Sequence, residues 1–309
     1  MTDPPVIALM GPTAAGKTGL AIELVQRYPL QIVSVDSAQV YRGMDIGTAK
    51  PGPDELAVAP HRLIDNRDPD QGYSAAEFCT DAQQAIDEIR TAGETPLLVG
   101  GTMLYFRAFF EGLSPLPDAD PVIREALEAE AAKVGWGQLH KRLQTVDPVA
   151  AQRIRPTDPQ RIQRALEVHE LTGKPLSELQ QAPPENPHEG RSLKLIACPA
   201  ERSRLHARIA ERCEAMFEAG LVAEVRRLLR RFGPEATALR SVGYRQVLEA
   251  LQEGGPSPEL RQKVLYATRQ LAKRQLTWLR KEADAQWLDP EDRHQVAQAF
   301  AAVEKFLKH

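Results

Sequence analysis

VIALMGPTAAGKTGLAIEL, residues 6–24, opens as an apolar run from Val6 to Met10, passes through Gly11-Pro12-Thr13-Ala14-Ala15-Gly16-Lys17-Thr18 and continues as an amphipathic segment. The octet fits G-x-x-x-x-G-K-S/T and stands between a buried strand and a helix start, the context that motif requires. Glycine at 11 and 16 lets the backbone wrap tightly, with successive N–H groups turned inward. The helix starting near Lys17 points its positive end at the same spot. Lys17 adds a mobile cation, and the Thr18 hydroxyl can ligate Mg²⁺. All eight residues are candidates to grip a chain of phosphates. The loop does not say which phosphate compound it holds, and by itself it leaves kinase, NTPase and other phosphate chemistry open.

Further along, Ile32–Asp36 (IVSVD) and Pro96–Val99 (PLLV) read as two more buried strands. Ligands of open parallel sheets lie beyond the carboxyl ends of the strands, so Asp36 and the Gly100-Gly101-Thr102 that follows Val99 belong on one rim with Thr13. A carboxylate at position 36 suits a Mg²⁺ ligand, a general base or a plain turn or N-cap aspartate. Residues 43–60 read as loop, with Thr48 and Lys50 able to reach a phosphate or simply to face water. Ser74 and Glu77 form a capping box for a helix running to about Ala92, with Gly93 as its stop.

The character changes after Gly112. Leu113–Pro117 reads as a linker, and three helix starts of one type follow, Asp120-Pro121, Asp147-Pro148 and Asp158-Pro159, each with an aspartate cap and proline at the first helical position. No strand signal occurs between Asp118 and Gln181, and a second linker runs from Ala182 to Pro187. The expected organisation is a P-loop NTPase-like α/β core, a parallel sheet flanked by helices, built from residues 1–115 and 191–309. An all-helical insertion domain occupies residues 116–190. Leu193–Cys198 returns to strand pattern. An Arg-rich helical stretch follows, with Arg202, Arg204, Arg208 and Arg212, then Arg226, Arg227, Arg230 and Arg231, suited to a lid over a phosphate or to an ordinary charged surface. In the last large helix, about Pro258 to Ala283, Val264, Leu265, Thr268, Leu271, Ala272, Leu276 and Leu279 recur at helical spacing as the buried stripe. Gln270, Arg274, Thr277 and Lys281, with Lys273, Arg280 and Trp278 nearby, make a basic and hydrogen-bonding face that fits phosphates and RNA bases as well as it fits solvent.

The 309 residues carry a net charge of −3, unevenly spread. Residues 1–190 hold 17 Lys and Arg against 27 Asp and Glu, leaving −10, whereas residues 191–309 hold 22 against 15, leaving +7. The C-terminal part can therefore face a polyanion while the N-terminal part does not. Cys79, Cys198 and Cys213 stand far apart without a C-x-x-C, which argues against zinc and disulfides and for a reducing cytoplasm. Neither a membrane span nor a signal peptide is expected.

The combination resembles the tRNA dimethylallyltransferases, also called tRNA isopentenyltransferases. The likeness runs over nearly the whole chain. It rests on GPTAAGKT at 11–18, DSAQVYRGMDIGTAKP at 36–51, HRLID at 61–65, GGTMLY at 100–105, QRIQRALEV at 160–168, SVGYRQ at 241–246 and RQLTWLRK at 274–281. Arg62 stands where many members are expected to carry a second histidine. The zinc-finger tail of eukaryotic members is absent, as expected of the bacterial type. The resemblance implies transfer of a dimethylallyl group from dimethylallyl diphosphate to N6 of the adenosine at tRNA position 37, just 3′ of the anticodon. It implies Mg²⁺ at Thr18, diphosphate held by Gly11–Thr18, Asp36 as base and Thr102 beside the reacting groups. Contacts to the anticodon stem-loop would come from Asp36, Ser37, Ala38, Gln39, Thr102, Arg124, Gln160, Arg161, Ile162, Gln163, Arg164, Ser241, Val242, Gly243, Tyr244, Arg245, Gln246, Arg274, Gln275, Leu276, Thr277, Trp278, Leu279, Arg280 and Lys281. Arg208 or Arg212 would help hold diphosphate, and a monomer is expected. A small-molecule kinase and transfer to free adenine nucleotides are the alternatives.

Overall fold

The computed structural model describes residues 5–184, 187–188 and 190–308. Glu185 and Asn186 of the second expected linker lie outside the described residues. Among the described residues one sheet forms from six parallel strands, β1 (Val6–Met10), β2 (Leu30–Val35), β3 (His61–Arg62), β4 (Thr95–Gly100), β5 (Ser192–Ala197) and β6 (Gln286–Leu288), in the order β3-β2-β4-β1-β5-β6. β1 is central and fully buried, so its five residues are all apolar, as a strand covered on both faces requires. Register places Met10 opposite Gly100 and Ile196, and Val35 opposite Gly100. The ends of β2, β4, β1 and β5 therefore finish level, and the loops that follow them share one edge.

In chain order the helices are α1 (Lys17–Arg27), α2 (Pro53–Val58), α3 (Ala75–Thr91), α4 (Met103–Glu111), α5 (Pro121–Val134), α6 (Trp136–Val146), α7 (Pro148–Arg153), α8 (Pro159–Thr172), α9 (Leu176–Leu179), α10 (Arg202–Glu218), α11 (Leu221–Phe232), α12 (Tyr244–Gln252), α13 (Leu260–Leu279) and α14 (Arg293–Leu307). On one face of the sheet Leu20, Leu24, Phe300 and Val303 of α1 and α14 close over Ile7, Leu9, Ile32, Leu97 and Leu195. A second core joins α10 to α13 around Val40, Tyr41 and Met44 of the segment after β2.

The chain divides into two compact units, Met1–Ala108 with Glu189–His309, and Phe109–His188. The second, among its described residues, is all helical and has its own core of Leu127, Leu139, Leu143, Ile162, Leu166 and Val168. Three of its helices, α5, α7 and α8, start where the Asp-Pro pairs stand. Asp120 accepts from the N–H groups of Val122 and Ile123, Asp147 from Ala150 and Asp158 from Arg161. The Ser74–Glu77 capping box is formed. Two expectations change. Residues 53–58 form α2 within the stretch read as loop, and the last large helix ends at Leu279, which leaves Arg280 and Lys281 on the turn beyond it. Among the described residues no helix is long and apolar enough to cross a membrane.

Candidate active site

The loop between β1 and α1 is shaped for an anion. Ala14 and Gly16 both adopt positive φ, 62° and 94°, which curls the loop around the start of α1, with the Ala15 N–H donating to the Pro12 carbonyl (3.3 Å). Gly11 is needed for another reason, close approach, since a Cβ there would lie 2.4 Å from the Ala197 carbonyl oxygen at the end of β5. Lys17 Nζ donates to the carbonyls of Gly11 (3.0 Å) and Pro12 (2.8 Å), using two of its three donors. Burial, with the Arg212 guanidinium close by, lowers the Lys17 pKa to about 8, against an opposing pull from Asp36. Thr18 follows in the first turn of α1, partly exposed.

Three neighbouring strand ends are laced together beside this loop. After β2, Asp36 Oδ1 accepts from the N–H groups of Ala38 (2.8 Å) and Gln39 (3.2 Å), an Asx turn that fixes the carboxylate. Its second oxygen has no partner among the described residues. After β4, the Thr102 N–H donates to the Val35 carbonyl (3.2 Å) and Thr102 Oγ1 accepts from the Ser37 N–H (3.0 Å). The preceding residue continues the chain of bonds. Gln275 Nε2 donates to the Gly101 carbonyl (2.8 Å), and Gln275 Oε1 accepts from the Thr13 N–H of the phosphate loop (2.9 Å). The base candidate, Thr102 and the anion loop are thus one hydrogen-bonded assembly, closed by a side chain from α13.

The Arg-rich stretch divides by helix face. Arg212 is on the inner side of α10 next to buried Cys213, and its terminal nitrogen donates to the Thr48 carbonyl (3.1 Å). Its Nε is buried without a hydrogen-bond partner among the described residues. Arg208 packs beside Gly16 and pairs with Glu291 (3.3 Å), which also holds Arg204 (3.0 Å). Arg202, Arg226, Arg227, Arg230 and Arg231 are exposed. Thr48 and Lys50 are turned to other partners. Thr48 Oγ1 donates to the Met44 carbonyl (2.7 Å), and the Lys50 ammonium, 4% exposed, is enclosed by Asp45, Asp65 and the Tyr41 carbonyl.

Several of the expected RNA contacts face inward. Tyr244 and Leu279 are fully buried, Gly243 is buried, and Gln246 is spent on capping the Gly243 N–H (2.8 Å). Tyr244 instead donates to the buried carboxylate of Glu224 (2.6 Å), which also accepts from the N–H groups of Asp45, Ile46 and Gly47. Leu276 packs on the core of α10 to α13, and Ser241 and Val242 are half-buried. Arg245 is exposed and lies 3.7 Å from Glu249. Arg274, Thr277, Arg280 and Lys281 face solvent. Trp278 has both Arg107 (5.8 Å) and Lys281 (5.6 Å) against its ring, so it holds cations at this surface.

In the helical unit Ile162 is fully buried, because position 162 lies on the apolar face of α8. Arg124 and Arg164 both bind the buried Glu167, at 2.8 Å and 2.7 Å, and Glu167 accepts from the Asp120 N–H as well. Gln163 donates to the Arg124 carbonyl (3.1 Å). Gln160 and Arg161 are exposed. Sequence reasoning missed Glu224, Glu167 and the bridging role of Gln275. A glutamate at a buried helical position, as at 167 and 224, is the signal that could have pointed to the first two.

Comparison with known proteins places the chain and its fold. Residues 39–282 match the family described as IPP transferase. A tRNA dimethylallyltransferase of Stenotrophomonas maltophilia is 56% identical over 296 residues, covering 93% of both chains. One from Xanthomonas axonopodis pv. citri is 54% identical over 307 residues, covering 96% of this chain and 93% of its own. Among solved structures, the tRNA isopentenylpyrophosphate transferase of Bacillus halodurans superposes with a TM-score of 0.72 at 34% identity, covering 99% of this chain and 97% of its own. A eukaryotic dimethylallyltransferase solved acting on tRNA gives 0.80 at 26% identity, covering 99% of this chain and 80% of its own.

Proposed function

The chain belongs to the IPP transferase family, and from that premise we propose how its own residues carry prenyl transfer to tRNA. The chain is a transferase that uses tRNA as acceptor, which replaces the kinase alternative left open by the loop alone. The donor is dimethylallyl diphosphate, and the acceptor atom is N6 of the adenosine at position 37 in the anticodon stem-loop. The observation that carries this reading is the continuous set of bonds from Thr13 through Gln275 and Gly101 to Thr102, Ser37 and Asp36.

The diphosphate is the leaving group. The main-chain N–H groups of Ala14, Gly16, Lys17 and Thr18, with the Lys17 ammonium and Arg212, take up the charge that grows on it as the allylic C–O bond breaks. Arg212 suits this role better than Arg208, since its buried Nε lacks a partner while Arg208 is held by Glu291. Thr18 is the residue that would hold Mg²⁺. Among the described residues no cluster of three His, Cys, Asp or Glu could hold a metal ion. When bound, Mg²⁺ supplies further neutralisation of the diphosphate. The adenine N6 lone pair is delocalised into the ring, so a base must take its proton as the new C–N bond forms. Asp36, fixed through one oxygen, offers the other.

Mass spectrometry of nucleosides from tRNA incubated with enzyme and dimethylallyl diphosphate tests the reading. N6-dimethylallyladenosine at position 37 is expected, and phosphorylated product without prenylated RNA would overturn it. Lys17 gives a second test. Diphosphate favours its charged form, so affinity should be level below pH 8 and fall above it, by up to about tenfold per pH unit. Diphosphate itself titrates, so calorimetry at pH 7 and pH 9 is compared with Lys17→Met, in which the lysine's share of the fall should vanish. On the RNA side, replacing Arg274 or Lys281 with Gln should lower the slope of log affinity against log salt by about one unit each. An unchanged slope removes them from the interface.

A further inference from the structure

Helix α11 carries a charged face that the transfer reaction does not use. Leu221, Val225 and Leu228 are its buried side, with Glu224 among them. Arg226, Arg227, Arg230 and Arg231 are exposed and, at positions i, i+1, i+4 and i+5, fall in one stripe about 7.5 Å long. None of the four forms an ion pair among the described residues, whereas Arg204, Arg208, Arg124 and Arg164 are all paired. Arg231 alone has a partner of another kind, the Phe232 ring at 4.8 Å. The stripe contains two like-charged i,i+4 pairs, Arg226 with Arg230 and Arg227 with Arg231, which disfavour the helix unless an anion lies over them.

The kind of anion follows from the shape of the surface. Four flexible guanidinium groups on the outside of a helix enclose no pocket for a single phosphate, but they match a repeating row of phosphates. Glu224, on the inner side of the same helix, holds residues 45–47, and Leu228 packs near Gly43, so the stripe rides on the segment that follows Asp36. It faces away from that segment across the width of a helix, roughly 10 Å. An anion bound there is therefore near the site without being the reacting group. We propose that the α11 stripe binds the phosphate backbone of the tRNA substrate away from the modified adenosine. This rests on the proposed function, and the experiment separates the two.

The test compares full-length tRNA binding and prenyl transfer in the intact enzyme, in a variant with all four arginines changed to Gln, and in one with all four changed to Lys. The Gln variant should bind at least tenfold more weakly at low salt, with its salt slope lowered by about three units. Its kcat at saturating tRNA and its KM for dimethylallyl diphosphate should stay at the wild-type values. The Lys variant, which keeps the charges, should retain most of the affinity and slope. An unchanged slope in the Gln variant overturns the proposal, as does a loss of kcat without a change in slope. Failure of the wild-type enzyme to prenylate tRNA would sink the proposed function instead, whatever the stripe does.

Discussion

Asp36→Asn is expected to lower single-turnover prenyl transfer by about 10²–10⁴-fold, the range for loss of a positioned general base, while tRNA affinity changes by less than about twofold. Asparagine separates the two jobs of this side chain. Its Oδ1 can still accept from the Ala38 and Gln39 N–H groups, so the Asx turn and the Ser37–Thr102 bond after it are kept. What is lost is the anionic oxygen that accepts the N6 proton. Asp36→Ala removes the turn as well, and should match Asn in rate but show weaker RNA binding. Near-normal single-turnover transfer by Asp36→Asn, with filter binding unchanged, would strip Asp36 of the role.

The second large effect is on stability. Glu224→Ala should destabilise the fold by about 3–5 kcal/mol, because it leaves the Tyr244 hydroxyl and three backbone N–H groups without their shared acceptor. The N–H groups of Asp45, Ile46 and Gly47 and the Tyr244 hydroxyl all converge on this carboxylate. Glu224 is 1% exposed and Tyr244 0%, so this end of the constellation is closed to solvent. The packing is equally tight, with a Cβ at Gly47 placed only 2.5 Å from the Tyr244 ring. Thermal unfolding should shift down by roughly 6–20 °C. Tyr244→Phe keeps the ring and loses one bond to a charged acceptor, so about 1.5–3 kcal/mol is expected. The burial and the neighbouring Glu224 carboxylate push the Tyr244 phenol well above its ordinary pKa, so it stays a donor at any working pH. The consequence for activity runs through Thr48, whose carbonyl accepts from Gln39 and Arg212. A loosened 45–48 segment should weaken diphosphate binding. Calorimetric scans showing Glu224→Ala within about 1 °C of wild type would refute the argument.

How much of this could be read from the amino acids depends on how far apart the interacting groups lie. The phosphate loop was legible because its glycines, lysine and threonine are contiguous and flanked by a strand and a helix. The Asp-Pro helix starts and the Ser74–Glu77 box were legible for the same reason, each cap bonding within three residues. Strands β3 and β6 have two and three residues, too few to show a pattern, and they exist because β2 and β5 offer an edge. The Glu224 nest joins positions about 180 apart, and the Gln275 bridge joins positions 262 and 174 apart, so neither leaves a local trace. The RNA contacts that the family resemblance implies come as contiguous blocks of sequence. Helical periodicity turns every third or fourth member of a block inward, which is what happened to Ile162, Tyr244 and Leu279.

The place of β1 in the sheet has a consequence for synthesis. Its two neighbours, β4 and β5, are made before and after the whole helical unit. Once Gly100 has left the ribosome, β1 can pair on one side only, and the other edge of an entirely apolar strand waits for Ser192–Ala197. At ordinary elongation rates that interval is on the order of ten seconds. A nascent chain halted inside the insertion would present an open, sticky strand edge, so premature termination there should yield a product prone to aggregate or to engage chaperones.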